Sequence, residues 1–231
     1  MDLAMTDCNS NDSPRTIKAV AFDLDGLMFN TEDVYWKVGS ELMRRRGHEY
    51  TEELSHAIMG RPPQVCFETM IEWYSLDDTW QAMAAESEKA FVSLLDDGVD
   101  PMPGMLDLLE RLERSSIPKA ICTSSSPEVV EAVLSRFAMR PRFEFVLTAA
   151  DITHGKPHPE IYQKAATRFG IEPTEMLVLE DSQTGCTAAA ASGAFTVAVP
   201  AGLSSEHDFG VTDLVAETLA DPRILEALGL G

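Results

Sequence analysis

Positive charge is what this 231-residue chain has least of: 18 Lys and Arg stand against 38 Asp and Glu, a formal net charge of −20. A surface of that sign repels polyphosphate at long range, which excludes a nucleic acid polymer as partner. It still leaves room for a small phosphorylated ligand, because a few local cations or one bound metal reverse the field inside a cleft. Cysteine is also scarce. Cys8, Cys66, Cys122 and Cys186 lie far apart, with no C-x-x-C pair and no short metal-ligand spacing. That excludes a disulfide framework or a zinc ribbon, and unpaired thiols in apolar settings predict a reducing, cytoplasmic location. No apolar run approaches the roughly 20 residues that cross a bilayer, so no membrane partner is expected. Residues 1–15 are polar and acidic, lack the basic and apolar regions of a secretory signal, and read as a flexible tail.

What remains, 45% hydrophobic and 24% charged, is ordinary for a packed protein. Short apolar runs recur at 17–22, 119–122, 143–147, 176–179 and 194–199. Between them run helical stripes: Leu106, Leu109 and Leu112; Val129, Val130, Val133, Leu134 and Phe137; and residues 161–169. Proline opens two of these helices, at Ser126-Pro127 and His158-Pro159, and glycine closes two, at Gly170 and Gly193. The alternation predicts an α/β fold, a Rossmann-like parallel sheet with helices on both faces. Residues 32–100 break the rhythm with four helical stretches and no strand. They predict an inserted all-helical cap (32–100) in a core made of 16–31 and 101–231, with hinges near Asn30-Thr31 and 97–103. The tryptophans Trp36, Trp73 and Trp80 and the methionines Met43, Met59, Met70 and Met83 read mainly as the core of that module.

The chemistry collects where the apolar runs end. Asp23-Leu24-Asp25-Gly26 ends the first run with two carboxylates that do not both ionise comfortably without a cation beside them. Residues 122–127 end the second in hydroxyls (Thr123, Ser124, Ser125) leading into a helix N-terminus, a ready anion site. Lys156 follows the third, and Glu180-Asp181 ends the fourth. The carboxyl edge of an open parallel sheet is where such folds bind ligands, so these four clusters predict one site.

Asp23-x-Asp25-Gly26, Ser124, Lys156 and Glu180-Asp181 resemble the four ordered motifs of the haloacid dehalogenase superfamily. The stretches 23–32 (DLDGLMFNTE), 155–162 (GKPHPEIY) and 179–185 (LEDSQTG) are similar to the branch that holds β-phosphoglucomutase and sugar- or nucleotide-monophosphate phosphatases, with a helical cap after the first motif. The resemblance implies Mg2+ held by Asp23, the main-chain carbonyl of Asp25, Asp181 and Glu180. It implies Asp23 as nucleophile, Asp25 as general acid and base, and Ser124 and Lys156 as holders of the phosphoryl group, with Thr123 and Ser125 as alternates. Tyr35 and Arg61 are the cap residues nominated to touch substrate, with Lys37 beside them. The mutases carry a histidine where this chain has Tyr35, and Pro63 falls where they carry a cap arginine. Phosphomonoester hydrolysis of a small phosphorylated metabolite is therefore the expectation; a phosphosugar mutase and a non-catalytic binding protein are the alternatives. The sequence sets no oligomeric state. Asn30, where the branch commonly has aspartate, is expected to matter little.

Overall fold

The computed structural model describes residues 16–58, 61–95 and 98–231. The expected tail (1–15), Met59, Gly60 and Asp97 lie outside them. A parallel sheet of six strands runs in the order β3-β2-β1-β4-β5-β6. Its strands are β1 (Ala19–Phe22), β2 (Lys119–Cys122), β3 (Phe145–Leu147), β4 (Met176–Glu180), β5 (Phe195–Ala198) and β6 (Leu214–Val215).

Side chains alternate across the sheet, as the two-residue strand period requires. Val20 and Phe22 of β1 join an apolar cluster with Leu108, Leu109 and Leu112 of the helix Met105–Arg114, and with Val129, Val130 and Val133 of the helix Pro127–Arg136. Ala21 faces the other way, into a second cluster with Ile161, Tyr162 and Ala165 of the helix Glu160–Phe169 and Ala188 and Ala189 of the helix Gln183–Ser192. Alanines on both partners let those helices approach closely. Ser126 caps its helix, accepting from the Val129 N–H at 3.4 Å with Pro127 in the first turn. Gly170 and Gly193 end theirs at φ 72° and 90°. Pro159 differs from expectation: it is the capping residue, and the helix begins at Glu160. The chain leaves β1 outward to β3 and returns to β4 on β1's other side, so the order reverses between β1 and β4, where open α/β sheets bind ligands.

Four helices, α1 (Glu32–Arg45), α2 (Glu52–Ile58), α3 (Pro63–Tyr74) and α4 (Trp80–Leu94), lie in the chain between β1 and Met105. Val34, Val38, Leu42, Met43, Met83 and Phe91 are buried among them, and Arg46 binds Asp78 and Glu86 at 2.8 and 2.9 Å. The tryptophans depart from their expected core role: Trp36 and Trp73 are exposed and Trp80 is half-buried. Leu and Met fill the narrow seam, and the indoles sit at its edge. The outgoing and returning chains run side by side. Asn30 N–H donates to the Asp100 carbonyl, Asp100 N–H to Asn30 Oδ1 (2.6 Å), and Asn30 Nδ2 to the Gly98 carbonyl (3.4 Å). Asn30 thus ties the two segments together through its side chain, and a carboxylate there has no N–H to give Gly98.

Candidate active site

β1 and β4 are neighbours in register, with Phe22 opposite Leu179, so the residues just past each strand emerge together. Gly26 makes the turn after β1 at φ +76°, and its N–H donates to the Phe29 carbonyl at 2.9 Å. A Cβ there would stand 2.5 Å from Asp181 Oδ2, so the absent side chain is what lets the two strand ends close up.

Lys156 comes in from the loop before the helix Glu160–Phe169. Its ammonium has three donors and meets three acceptors: Asp23 Oδ1 (2.5 Å), Glu180 Oε1 (2.5 Å) and the Cys122 carbonyl (3.0 Å). Burial opposes its charge, but Asp23 and Glu180 override that and hold the lysine protonated, above its usual range. Glu180, fully buried, also accepts from Tyr162 Oη at 2.5 Å and from Ser182 Oγ at 3.2 Å. Any side chain at Gly185 would overlap the Glu180 carboxylate. The loop that presents Lys156 is braced by Glu160, which accepts from the Thr153 and His154 N–H groups and pairs with Lys164. His154, His158 and Glu160 also lie within ligand reach of one another. Glu160's oxygens are already engaged there, and His158 Nδ1 accepts from the Glu160 N–H.

Asp23, Glu180 and Asp181 each offer a carboxylate oxygen within 4.8 Å of the others, all buried. Burial pushes Asp23 up to about 7, against the lowering effect of Lys156 and with Glu180 and Asp25 adding to the rise. Burial also pushes Asp181 far above the carboxylate range, reinforced by Glu180, Asp23 and Glu32. Lys156 thus favours the ionised form of Asp23 without offsetting its burial. One ammonium does not compensate this many acids, and the oxygen-only donor set fits a hard divalent cation.

The residues after β2 divide. Thr123 and Ser125, expected at the phosphate, instead donate to Asp25 Oδ2 at 3.3 and 2.6 Å, and Thr123 Oγ1 accepts from the Ser125 N–H. Ser124 is half-buried, and its hydroxyl makes no hydrogen bond among the described residues, so it is free to meet an anion. Asp25 Oδ1 is buried without a partner. Tyr35 reaches this group from α1, its hydroxyl 3.3 Å from Ser125 Oγ. Arg61 is not brought in: it is exposed near Cys66, which donates to its carbonyl. Lys37 is exposed on α1. Tyr162 and Ser182 are the site residues that sequence reasoning passed over. Tyr162 sits on an apolar helical stripe where phenylalanine would pack as well, and a buried hydroxyl on such a stripe is the one available signal.

Comparison with known proteins agrees with this geometry. The family model of the haloacid dehalogenase-like hydrolases matches residues 20–199. A probable pseudouridine-5'-phosphatase of Drosophila melanogaster is 31% identical over 90% of this chain and 92% of its own length. The fructose-1-phosphate phosphatase YqaB of Escherichia coli is 32% identical over 74% of this chain and 90% of its own. In fold, CbbY from Rhodobacter sphaeroides, solved with phosphate, superposes with a TM-score of 0.79 at 24% identity, covering 89% of this chain and 96% of that one. The chain belongs to the haloacid dehalogenase-like hydrolases, among their phosphatases.

Proposed function

We propose that the chain is a Mg2+-dependent phosphomonoester hydrolase that works through an aspartyl-phosphate on Asp23. Its substrate would be a small phosphorylated sugar or nucleoside, the class named for the relatives above. The observation that carries this reading is the buried convergence of Asp23, Glu180 and Asp181 on Lys156, at the point where the strand order reverses. Asp23, Asp181, Glu180 and the main-chain carbonyl of Asp25 would hold the cation. When bound, it supplies the positive charge that lets an anionic carboxylate approach an anionic phosphate.

The chain's own residues do the rest. An Asp23 oxygen attacks phosphorus, and the bond to the leaving oxygen breaks as Asp25 gives that oxygen a proton. Asp25, now a carboxylate, takes a proton from water, which attacks the phosphorus and returns Asp23. Lys156 gives up one of its internal bonds to a phosphoryl oxygen, and Ser124 supplies a hydroxyl to another. Helices α1 to α4, the cap of residues 32–100, cover the site and exclude water while the first step occurs. The test is phosphate release from a panel of sugar and nucleoside monophosphates with Mg2+, with and without EDTA. Release that survives EDTA, or survives Asp23→Asn, overturns this reading.

A further inference from the structure

Two hydroxyl donors fall on one oxygen of Asp25 and none on the other. Ser125 Oγ donates to Oδ2 at 2.6 Å and Thr123 Oγ1 at 3.3 Å, while Oδ1 is buried with no hydrogen-bond partner; the Thr31 hydroxyl, buried and likewise without one, interacts with the same carboxylate. A serine hydroxyl has one proton. Once that proton points at Asp25, the remaining lone pairs of Ser125 Oγ are acceptors, and Tyr35 Oη stands 3.3 Å away with a proton of its own. This separation is long for a hydroxyl pair, as catalytic hydrogen bonds often are before substrate tightens a site. Tyr35 is held from behind: its ring packs at 4.8 Å on Phe91 of α4, itself fully buried. The donors therefore run in one direction, from the helical segment to Ser125 to Asp25.

We infer that Tyr35 is a positioning residue for the general acid. Through Ser125 it fixes Asp25 Oδ2 as the acceptor oxygen and leaves Oδ1 as the one that carries the transferable proton and faces the leaving group. The inference rests on the reading of Asp25 above, and it moves Tyr35 and Ser125 from contacting substrate to orienting the acid. In the first half-reaction the P–O bond to the leaving group breaks and the Asp23–P bond forms. The Oδ1 proton passes to the departing oxygen, leaving Asp25 as a carboxylate still held by Ser125 and Thr123. With α1 displaced, Ser125 loses the donor that orients it, and Asp25 is free to turn. Closure of the helical segment and readiness of the acid would then be one event.

The test uses leaving groups of different basicity. An alkyl phosphate needs its oxygen protonated as it leaves, and 2,4-dinitrophenyl phosphate hardly does. The quantity to read is kcat/KM, which reports events up to the first irreversible step and so isolates phosphoryl transfer to Asp23 from the later hydrolysis. Tyr35→Phe and Ser125→Ala should each lower kcat/KM about tenfold more for the alkyl than for the dinitrophenyl substrate, part of the ~10²–10⁴ that general acids supply. The double variant should be no worse than Ser125→Ala, because the tyrosine acts through the serine. Equal losses on both substrates, a Tyr35→Phe enzyme indistinguishable from the parent, or additive losses in the double variant would each overturn the inference while the phosphatase reading stands. A parent enzyme that releases no phosphate from either substrate with Mg2+ overturns both. Should Tyr35→Phe melt early, Ser125→Ala alone still decides through the same substrate contrast.

Discussion

At the scale of single residues the site is a set of buried charges with too few partners. Lys156 satisfies Asp23 and Glu180 together, so Lys156→Met leaves two carboxylates facing each other in a dry pocket. Breaking a buried pair from one side costs about 3–5 kcal/mol when the remaining charge is kept. Here Asp23, whose carboxyl burial already pushes up, escapes part of that cost by taking up a proton. Urea unfolding of Lys156→Met should therefore show a loss of about 3 kcal/mol at pH 8 and a smaller one at pH 5, with phosphate release abolished at both. Equal losses at the two pH values would mean that the lysine is not what the acids depend on. Gly185 makes the complementary case, where space rather than charge decides. A methyl group there collides with the Glu180 carboxylate, which Tyr162 and Ser182 hold in place. Gly185→Ala should cost about 1–3 kcal/mol, the usual range for overpacking, and weaken Mg2+ binding measured by calorimetry. Normal Mg2+ affinity in that variant would show that the position of Glu180 does not matter to the cation.

At the scale of elements, what could be read in advance was whatever a local period or a cap encodes. The helix Met105–Arg114 was legible from its leucines, although Leu108 and not the expected Leu106 is buried, and Asp23, Asp25 and Asp181 stand at the strand ends with Lys156 in the loop after β3. These features need no knowledge of the rest of the chain. β6, two residues long, and the helix Pro222–Ala227 gave no signal, because a segment that short has too few residues to show a period. The tryptophans depart from expectation, and Arg61 lies exposed away from the strand ends, for a different reason. Their surroundings depend on how α1 to α4 pack together, and no local pattern fixes that. Asn30 belongs here too, since its value lies in joining two segments 70 residues apart. Asn30→Asp keeps an acceptor for the Asp100 N–H but turns the Gly98 contact into repulsion between two acceptors. It should cost about 1 kcal/mol in denaturant, the net worth of one hydrogen bond. An unchanged midpoint would mean that the side-by-side linkers hold through main-chain bonds alone.

For the molecule as a whole, the acidic excess and the buried acids set how stability depends on pH and on metal. Glu41, Glu113, Glu160 and Asp221 are held down near 2, chiefly by hydrogen bonds from Arg44, Arg142, Lys164 and Arg223 respectively. Such groups stabilise the fold above the ordinary carboxylate range, and their contribution is lost as pH falls toward 2. Asp23 has the opposite sign. Its carboxyl, pushed by burial from 3.8 to about 7, binds a proton more tightly folded than unfolded. Between about pH 4 and 7 the folded protein thus holds the extra proton, and the metal-free fold loses stability as pH rises through that window. A divalent cation binds the ionised form, so at pH 5 it must displace the proton and at pH 8 it need not. The gain in melting temperature from 10 mM Mg2+ should therefore be small at pH 5, grow toward pH 7 and level off above it. Asp23→Asn should flatten that profile, since its amide has no proton to displace, although Asp181 still contributes. A Mg2+ increment of the same size from pH 5 to pH 8 in the parent protein would show that the cation does not compete with a proton at this cluster, and would remove Asp23 from the metal site.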